Sequence, residues 1–215
     1  LDTPNLALHA AKENEAHRRF KLRVRTYGED GRAPVILEIK SKTGYQISKS
    51  RATVPFAAWG RELIFNPRVT VSFKSDREYQ GFLQFVRVVR ETGAEPVVRI
   101  RYVRESYFGV AERYARVSVD RSLCYQPATD WAVLPTGGRW IPMDDIISQH
   151  KGLSQSGVVL ELKSEDQAPV WMTELVREFH LVQVGNCKYS TAVWAEALFH
   201  GFPSAPSYIL EVLRF

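Results

Sequence analysis

The stretch FKLRVRTY, from Phe20 to Tyr27, determines how the rest of the chain can be interpreted. Apolar and basic residues alternate along it: Phe20, Leu22 and Val24 against Lys21, Arg23 and Arg25. Alternation with a period of two predicts a β-strand that has one apolar face and one cationic face. A surface strand could have the same pattern. We single this stretch out because the pattern recurs elsewhere in the chain.

The pattern returns in four further stretches: VILEIKSK (Val35–Lys42), VRIRYVRESYF (Val98–Phe108), RYARVSVD (Arg113–Asp120) and VVLELK (Val158–Lys163). Each predicted strand places arginine or lysine, in some cases with glutamate, on one face. A row of like charges is costly to desolvate unless an anion or carboxylates compensate it. A closed barrel would gather such faces around a bound polyphosphate. If these faces converge, they form a basic pocket or tunnel with embedded carboxylates, which is suited to a polyanion and a metal.

The composition is that of a globular domain with a preference for anions. The chain has 215 residues, of which 45% are hydrophobic and 25% charged, enough for a core in a single domain over residues 1–215. The formal net charge is +5 and the pI about 9.2, which favours anionic partners. The basic residues alternate on strands and form no stripe with stacking aromatic residues, so we expect no nucleic-acid partner.

The two cysteines and the hydropathy pattern bear on location. Cys124 and Cys187 do not form a CxxC pair. We interpret them as free thiols in a reducing compartment and expect a cytoplasmic location, with a disulfide as the alternative. No run of about 18 apolar residues exists, so we predict no membrane span.

The remaining patterns predict an α+β protein. Apolar residues at helical spacing predict a helix over Ser75–Thr92, ended by Gly93. Further helices are predicted over Pro169–Val182 and Tyr189–His200, and a last strand or helix over Ser207–Phe215. Most strands follow one another through short turns, which favours an antiparallel sheet with added helices.

Eight short motifs together resemble a known family. They are LDTPNL, KLRVRTYG, LEIKSK, ISKSR, RYVRESYF, RVSVD, VLELK and KYS, in the family's order across nearly the whole chain. The chain resembles the VTC domain, the polyphosphate polymerase module of the triphosphate tunnel metalloenzyme superfamily. The resemblance implies the CYTH/triphosphate tunnel fold, an eight-stranded antiparallel β-barrel with flanking helices. It also implies binding of ATP, triphosphate and polyphosphate with Mn²⁺ or Mg²⁺, and transfer of the γ-phosphate of ATP to a polyphosphate chain.

The same resemblance implies the site residues. The phosphate-binding residues would be Arg23, Arg25, Lys40, Lys49, Arg104, Arg116 and Lys188. Glu161 of VLELK matches the metal-ligating glutamate. A Mg²⁺ or Mn²⁺ ion needs only one or two carboxylates when phosphates and water complete its coordination, and Glu38 is our second choice.

Two departures from the family pattern stand out. Gly185 occupies the position, three residues before Lys188, where the family often carries a lysine. The family's first strand, with its own tunnel lysine, should precede LDTPNL, and the sequence begins at that motif. We therefore expect one wall of the tunnel to be incomplete in this sequence.

Simpler interpretations and other functions remain open at this stage. Arg23 and Arg25 could lie on an exposed strand face, and Glu38–Lys40 or Glu161–Lys163 could be salt bridges. Lys49 could cap a hairpin. A tunnel hydrolase of tripolyphosphate or nucleoside triphosphates would use the same basic residues. A non-catalytic domain that binds polyphosphate or inositol phosphates is a further alternative.

Overall fold

The computed structural model describes residues 1–66, 68, 70–110, 114–135, 137–143, 157–165 and 167–200, with side chains up to residue 197. Two compact units make up the chain. The first contains Leu1–Arg99 and Pro127–Gly138, and the second contains Ile100–Gln126 and Arg139–Ala195. The predicted last element, Ser207–Phe215, lies outside the described residues.

The first unit is built on a three-stranded antiparallel sheet in the order β1-β2-β3. Its strands are β1 (Arg18–Arg25), β2 (Val35–Thr43) and β3 (Gln46–Val54). β2 and β3 form a tight hairpin in which Thr43 and Gln46 are partners. Gly44 takes φ +57° in this turn, a left-handed conformation that glycine adopts without steric cost.

Two helices cover the apolar face of this sheet. They are α2 (Arg61–Phe65) and α3 (Asp76–Thr92). The alternation seen in the sequence places one set of strand residues toward them, and these side chains are excluded from solvent. The buried core contains Leu22, Val35, Leu37, Ile39, Ala52 and Val54 of the sheet with Leu63, Ile64, Phe85 and Val89 of the helices. Burial of these side chains fixes the sheet and turns its other face outward.

Helix α3 confirms the prediction for Ser75–Thr92. The Ser75 side chain accepts a hydrogen bond from the Glu78 backbone N–H at 3.2 Å and caps the first turn. Gly93 ends the helix with φ +63°, as predicted, and its N–H donates to the Val89 carbonyl.

Gly81 allows α3 to approach β3 closely. A Cβ atom at this position would lie 2.3 Å from the Arg51 carbonyl oxygen and 2.9 Å from the Arg51 carbonyl carbon. Both are backbone atoms, which cannot move aside as a flexible side chain can. The helix can therefore sit against this part of β3 only because residue 81 has no side chain.

The second sheet has four antiparallel strands: β4 (Val98–Phe108), β5 (Arg116–Pro127), β6 (Ile141–Pro142) and β7 (Val159–Lys163). β5 pairs with β4, with β7 through Arg116–Asp120, and with β6 through Cys124 and Tyr125. β5 is the central strand and contributes the buried residues Leu123 and Tyr125.

The remaining helices are α1 (Ala7–Glu13), α4 (Val170–Glu178) and α5 (Lys188–His200), with a short 3-10 helix at Phe56–Ala58. α5 confirms the predicted helix and begins one residue earlier than expected. α4 is shorter than the predicted Pro169–Val182, because His180 takes a left-handed φ of +48° just after the helix ends. In the part of the chain that the structure describes, no helix has the length and apolar character needed to cross a membrane. Within the described residues, neither Cys124 nor Cys187 forms a disulfide.

The prediction of an eight-stranded tunnel-like barrel is wrong. The described residues form two separate antiparallel sheets of three and four strands, with no closed barrel. Closure requires the edge strands of a sheet to pair with each other, and the described strands show no such pairing. The broader prediction of an α+β protein agrees with the structure. The single domain over residues 1–215 stays a prediction.

Candidate functional site

The first sheet carries basic side chains on the face opposite its apolar core. Arg23, Glu38 and Arg51 are direct partners across the three strands. Opposed residues of antiparallel strands project to the same face, and so do residues two positions away along each strand. We call this surface the first basic face, and its basic residues are Arg19, Lys21, Arg23, Arg25, Lys40, Lys42, Lys49 and Arg51.

Glu38 lies at the centre of the first basic face and holds two arginines. Its Oε1 accepts a hydrogen bond from Arg23 Nη2 at 2.5 Å, and its Oε2 accepts one from Arg51 Nε at 2.6 Å. Burial disfavours the charged carboxylate, but the charge of Arg23 and the hydrogen bond from Arg51 outweigh it and lower the pKa of Glu38. Glu38 is therefore ionised at neutral pH and positions both guanidinium groups.

Other members of the first basic face retain unused hydrogen-bonding capacity. The buried Nε of Arg25 has no hydrogen-bond partner among the described residues, and the guanidinium lies 5.3 Å from the Tyr27 ring centre. Lys49 makes no hydrogen bond or ion pair within the described part of the chain. Lys49 can therefore offer its ammonium group to an anionic ligand at this surface.

The second sheet has a comparable surface in the second unit. Ser106 and Ser118 lie 3.2 Å apart between their hydroxyl oxygens on β4 and β5, and Ser118 is the direct partner of Glu161 on β7. Charged side chains flank these residues on the same strands, and α5 contributes one more. We call this surface the second basic face, and its basic residues are Arg104, Arg116, Lys163 and Lys188.

Asp120 holds two of these cations from a fully buried position. Arg104 donates from Nε to Oδ1 at 2.5 Å and from Nη2 to Oδ2 at 2.7 Å, and Lys188 Nζ lies 2.6 Å from Oδ2. Burial disfavours the charged form of Asp120, but the hydrogen bonds from Arg104 and Lys188 outweigh it and lower the pKa of Asp120. The hydrogen bond to Asp120 in turn raises the pKa of Arg104. The group stays ionised and fixes the direction of both cations.

Glu161 is the more accessible carboxylate of the second basic face. Its Oε1 lies 2.8 Å from Lys163 Nζ, and its Oε2 lies 3.5 Å from Arg104 Nη2. Burial opposes ionisation, but the hydrogen bond and charge of Lys163 outweigh it and lower the pKa of Glu161. Its side chain is 38% exposed, so it can reach a ligand without leaving the sheet.

The carboxylates differ in how well they fit a divalent metal. Mg²⁺ and similar hard cations bind oxygen and often use a single carboxylate together with substrate phosphates. Glu161 fits this arrangement because its carboxylate is partly open to solvent. Both oxygens of Glu38 are engaged by arginines, so it fits poorly. The described residues contain no group of three or more histidine, cysteine or acidic side chains that could hold a metal by themselves.

The structure distributes the predicted site residues over both faces. Arg23, Arg25, Lys40 and Lys49 share the first basic face with Glu38. Arg104, Arg116 and Lys188 share the second basic face with Glu161, and the Arg116 guanidinium lies 5.6 Å from the Phe108 ring centre. The Glu161–Lys163 salt bridge, which the sequence left open as an alternative, is present, and Glu38 pairs with Arg23 and Arg51.

Sequence reasoning missed two residues that organise these surfaces. Asp120 follows Arg116 and Ser118 at a spacing of two, so an acidic residue on a cationic face was visible in the pattern. Arg51 follows Lys49 at the same spacing, which places both on one face of their strand. Their ion pairs depend on strand register, which the sequence pattern does not specify.

Two concentrations of basic side chains, each anchored on an ionised carboxylate, are typical of a domain that binds anions. A family model supplies the more specific class. The model of the VTC domain matches residues 1–196, and the chain belongs to this family. The family is associated with polyphosphate metabolism. The sequence matches none of the curated proteins with which it was compared.

Proposed function

We propose that this chain is a metal-dependent polyphosphate polymerase that transfers the γ-phosphate of ATP to a growing polyphosphate chain. The proposal is carried by one observation, the grouping of the predicted phosphate-binding residues on the basic faces of the two sheets, by strand register and, for Arg104 and Lys188, by ion pairs with Asp120. Membership of the VTC domain family supports it. Phosphoryl transfer depends mainly on positioning and on stabilising charge around the phosphate oxygens, which such surfaces supply.

Arginine and lysine have different roles in this proposal. Arg23, Arg25, Arg104 and Arg116 each present a planar guanidinium that can bind two phosphate oxygens at once. Lys40 and Lys49 on the first basic face, and Lys188 on the second, act as point charges toward phosphate groups. Glu38 and Asp120 touch no phosphate in this scheme, because each is already bonded to two cations, and they serve as positioning residues.

Glu161 is the residue that would hold Mn²⁺ or Mg²⁺. When bound, such an ion neutralises charge on the phosphate oxygens and orients the reacting groups. Lys163 would have to yield one carboxylate oxygen to the ion, which its partly exposed side chain can do.

The transfer step needs no proton shuttle. A terminal phosphate oxygen of the polyphosphate chain attacks the γ-phosphorus of ATP and forms a new P–O bond. The bond between that phosphorus and the bridging oxygen to the β-phosphate breaks, and ADP leaves with the electron pair. Both groups are already ionised near neutral pH, so a general base is not required. The basic residues stabilise the charge on the attacking, transferred and leaving groups.

An assay of ATP with a short polyphosphate primer and Mn²⁺ tests this function. We expect ADP to be released together with lengthening of the primer, and we expect Arg25→Gln to reduce the rate about tenfold or more, as for a lost charge-assisted contact. Arg18→Gln is the matched control, because Arg18 begins the same strand at an alternate position, outside the first basic face. Release of inorganic phosphate without primer growth would indicate the hydrolase instead.

Binding without transfer is the second candidate, and two observations favour it. Gly185 lacks the lysine that the family often carries, and all three carboxylates of the two faces are in ion pairs. Calorimetric binding of tripolyphosphate with no turnover of ATP, with or without Mn²⁺, would support this candidate over the polymerase.

A further inference from the structure

A cavity of about 420 Å³ lies in the first unit, at the junction of α3 and β3. We call it the α3–β3 cavity, and it is lined by Lys49, Arg51, Arg77 and Glu78. Lys49 and Arg51 also belong to the first basic face, so the cavity continues that surface beyond the edge of the sheet. Arg77 comes from a helix and has no part in the site described above.

The charges of the cavity do not cancel internally. Glu78 is engaged with the start of its own helix, because its Oε2 accepts a hydrogen bond from the Lys74 backbone N–H at 3.2 Å. Arg51 donates only its Nε to Glu38, which leaves the other guanidinium nitrogens available. Lys49 and Arg77 make no hydrogen bond or ion pair within the described part of the chain. The cavity is therefore lined by two cations without an ion pair among the described residues, Lys49 and Arg77, and by Arg51, whose guanidinium is only partly hydrogen-bonded.

The backbone keeps these side chains together. The absence of a side chain at Gly81 lets α3 lie against the β3 backbone at Arg51, and Arg77 is one helical turn before Gly81. Arg77 also lies in the first turn of a 17-residue helix, where the partial positive charge of the helix end favours anions. The helix and the strand thus present their cations to the same space without a flexible connection.

We infer that the α3–β3 cavity is an additional subsite for phosphate groups, which binds the part of a long polyphosphate chain that extends beyond the first basic face. The inference rests on the proposed function and adds a residue, Arg77, and a length dependence to it. Three cations from two elements match a ligand with several adjacent charges better than a single phosphate. Among the described residues, those that line the cavity include no aromatic side chain on which a nucleobase could stack, so the chemistry favours an inorganic chain over a nucleic acid.

The test compares short and long ligands in calorimetric titrations of the full chain. We expect Arg77→Gln to weaken binding of long-chain polyphosphate about fivefold, while tripolyphosphate binding stays unchanged. We also expect the slope of log affinity against log salt concentration to fall by about one for the long chain, because one fewer cation contacts it. A general structural defect would not change this slope for one ligand alone.

Arg87→Gln is the matched control, because Arg87 lies on the same helix and, within the described part of the chain, pairs only with Glu91 on an exposed surface. Thermal unfolding of both variants checks that the helix is intact. Equal long-chain affinity of the Arg77→Gln and Arg87→Gln variants would overturn the inference and leave the proposed function standing. Loss of tripolyphosphate binding in Arg77→Gln would also overturn it, since the cavity would then belong to the short-chain site. Failure of the unmodified chain to bind either ligand would instead refute the proposed function.

Discussion

The two sheets hold their cations by the same device, an ionised carboxylate between two basic side chains, but they expose those cations to different degrees. Around Glu38, the side chains of Arg23 and Arg51 are 50% and 52% exposed. Around Asp120, the side chains of Arg104 and Lys188 are 31% and 18% exposed. Exposed cations are screened by water and can move, whereas covered cations depend on their carboxylate.

The two basic faces also differ in the ratio of basic residues to carboxylates. The first basic face combines eight basic residues with one carboxylate, and the second combines four basic residues with the two carboxylates Asp120 and Glu161. Surplus positive charge attracts a polyanion, whereas balanced charges in fixed directions orient one. We therefore expect the first face to contribute mainly affinity and the second mainly orientation.

The largest expected effect comes from removing the charge of Asp120. Asp120→Asn keeps the shape of the side chain but leaves Arg104 and Lys188 close together without their counter-charge. Breaking a buried ion pair by changing one partner is strongly destabilising, so we expect the free energy of unfolding to fall by about 3 kcal/mol. Urea unfolding measures this loss. A loss below about 1 kcal/mol would show that the covered cations of the second sheet do not depend strongly on their carboxylate.

The pH dependence of the unfolding free energy, compared between the unmodified chain and Asp120→Asn, tests whether the lost charge causes the destabilisation. The folded protein lowers the pKa of Asp120 below its ordinary value of 3.8, so its contribution is present above that value and is lost as the pH falls through the folded-state pKa. The difference in unfolding free energy between the unmodified chain and Asp120→Asn should therefore shrink as the pH falls from about 5 toward 2. A difference independent of pH would point to altered packing rather than to the charge.

A substitution at Gly81 should disturb the packing of α3 against β3 and so destabilise the first sheet. In Gly81→Ala the new methyl group would lie 2.3 Å from the Arg51 carbonyl oxygen, so α3 or β3 must shift. Alanine favours a helix over glycine by about 1 kcal/mol, but we expect the clash to exceed this and to lower the free energy of unfolding by about 2 kcal/mol.

Gly185→Ala is the control for this substitution, because nothing lies within 4 Å of a Cβ at Gly185. We expect its unfolding free energy to stay within about 0.5 kcal/mol of that of the unmodified chain. Stabilisation by Gly81→Ala would contradict the close contact between α3 and β3.

Replacing the carboxylate by its amide should lower the free energy of unfolding less in the first sheet, at Glu38, than in the second, at Asp120. In Glu38→Gln, Arg23 and Arg51 can turn toward water because half of each side chain is already exposed. We expect the free energy of unfolding to fall by about 1 kcal/mol in urea unfolding. Equal losses in Glu38→Gln and Asp120→Asn would show that exposure of the cations does not distinguish the two sheets.

The sequence predicted local features well because they depend on neighbouring residues. Alternation assigned Arg23 and Lys40 to one side of their strands, and short turns made β2 and β3 antiparallel neighbours. The helix over Ser75–Thr92 was predicted because its cap and its apolar stripe lie within it. These are interactions over a few residues, which a pattern can reveal.

The sequence did not predict how the strands assemble. A period of two specifies the face of a residue but not the partner strand, so alternating strands are equally compatible with a barrel and with two sheets. The same limit hid the ion pairs of Asp120, because Arg104 and Lys188 come from β4 and α5, distant in sequence. Pairings of this kind depend on long-range register.

The smallest expected effect tests whether the second basic face can gain the affinity that we assign to the first. Gly185→Lys restores a basic residue three positions before Lys188, at an exposed site with open space around it. We expect tripolyphosphate affinity to rise about threefold in a calorimetric titration, since one more cation contributes a weak, partly screened attraction. Gln183→Lys adds the same charge two residues earlier and is the control. Equal gains in both variants would show a general effect of net charge, whereas a gain confined to Gly185→Lys would show that the second basic face binds the anion at this position.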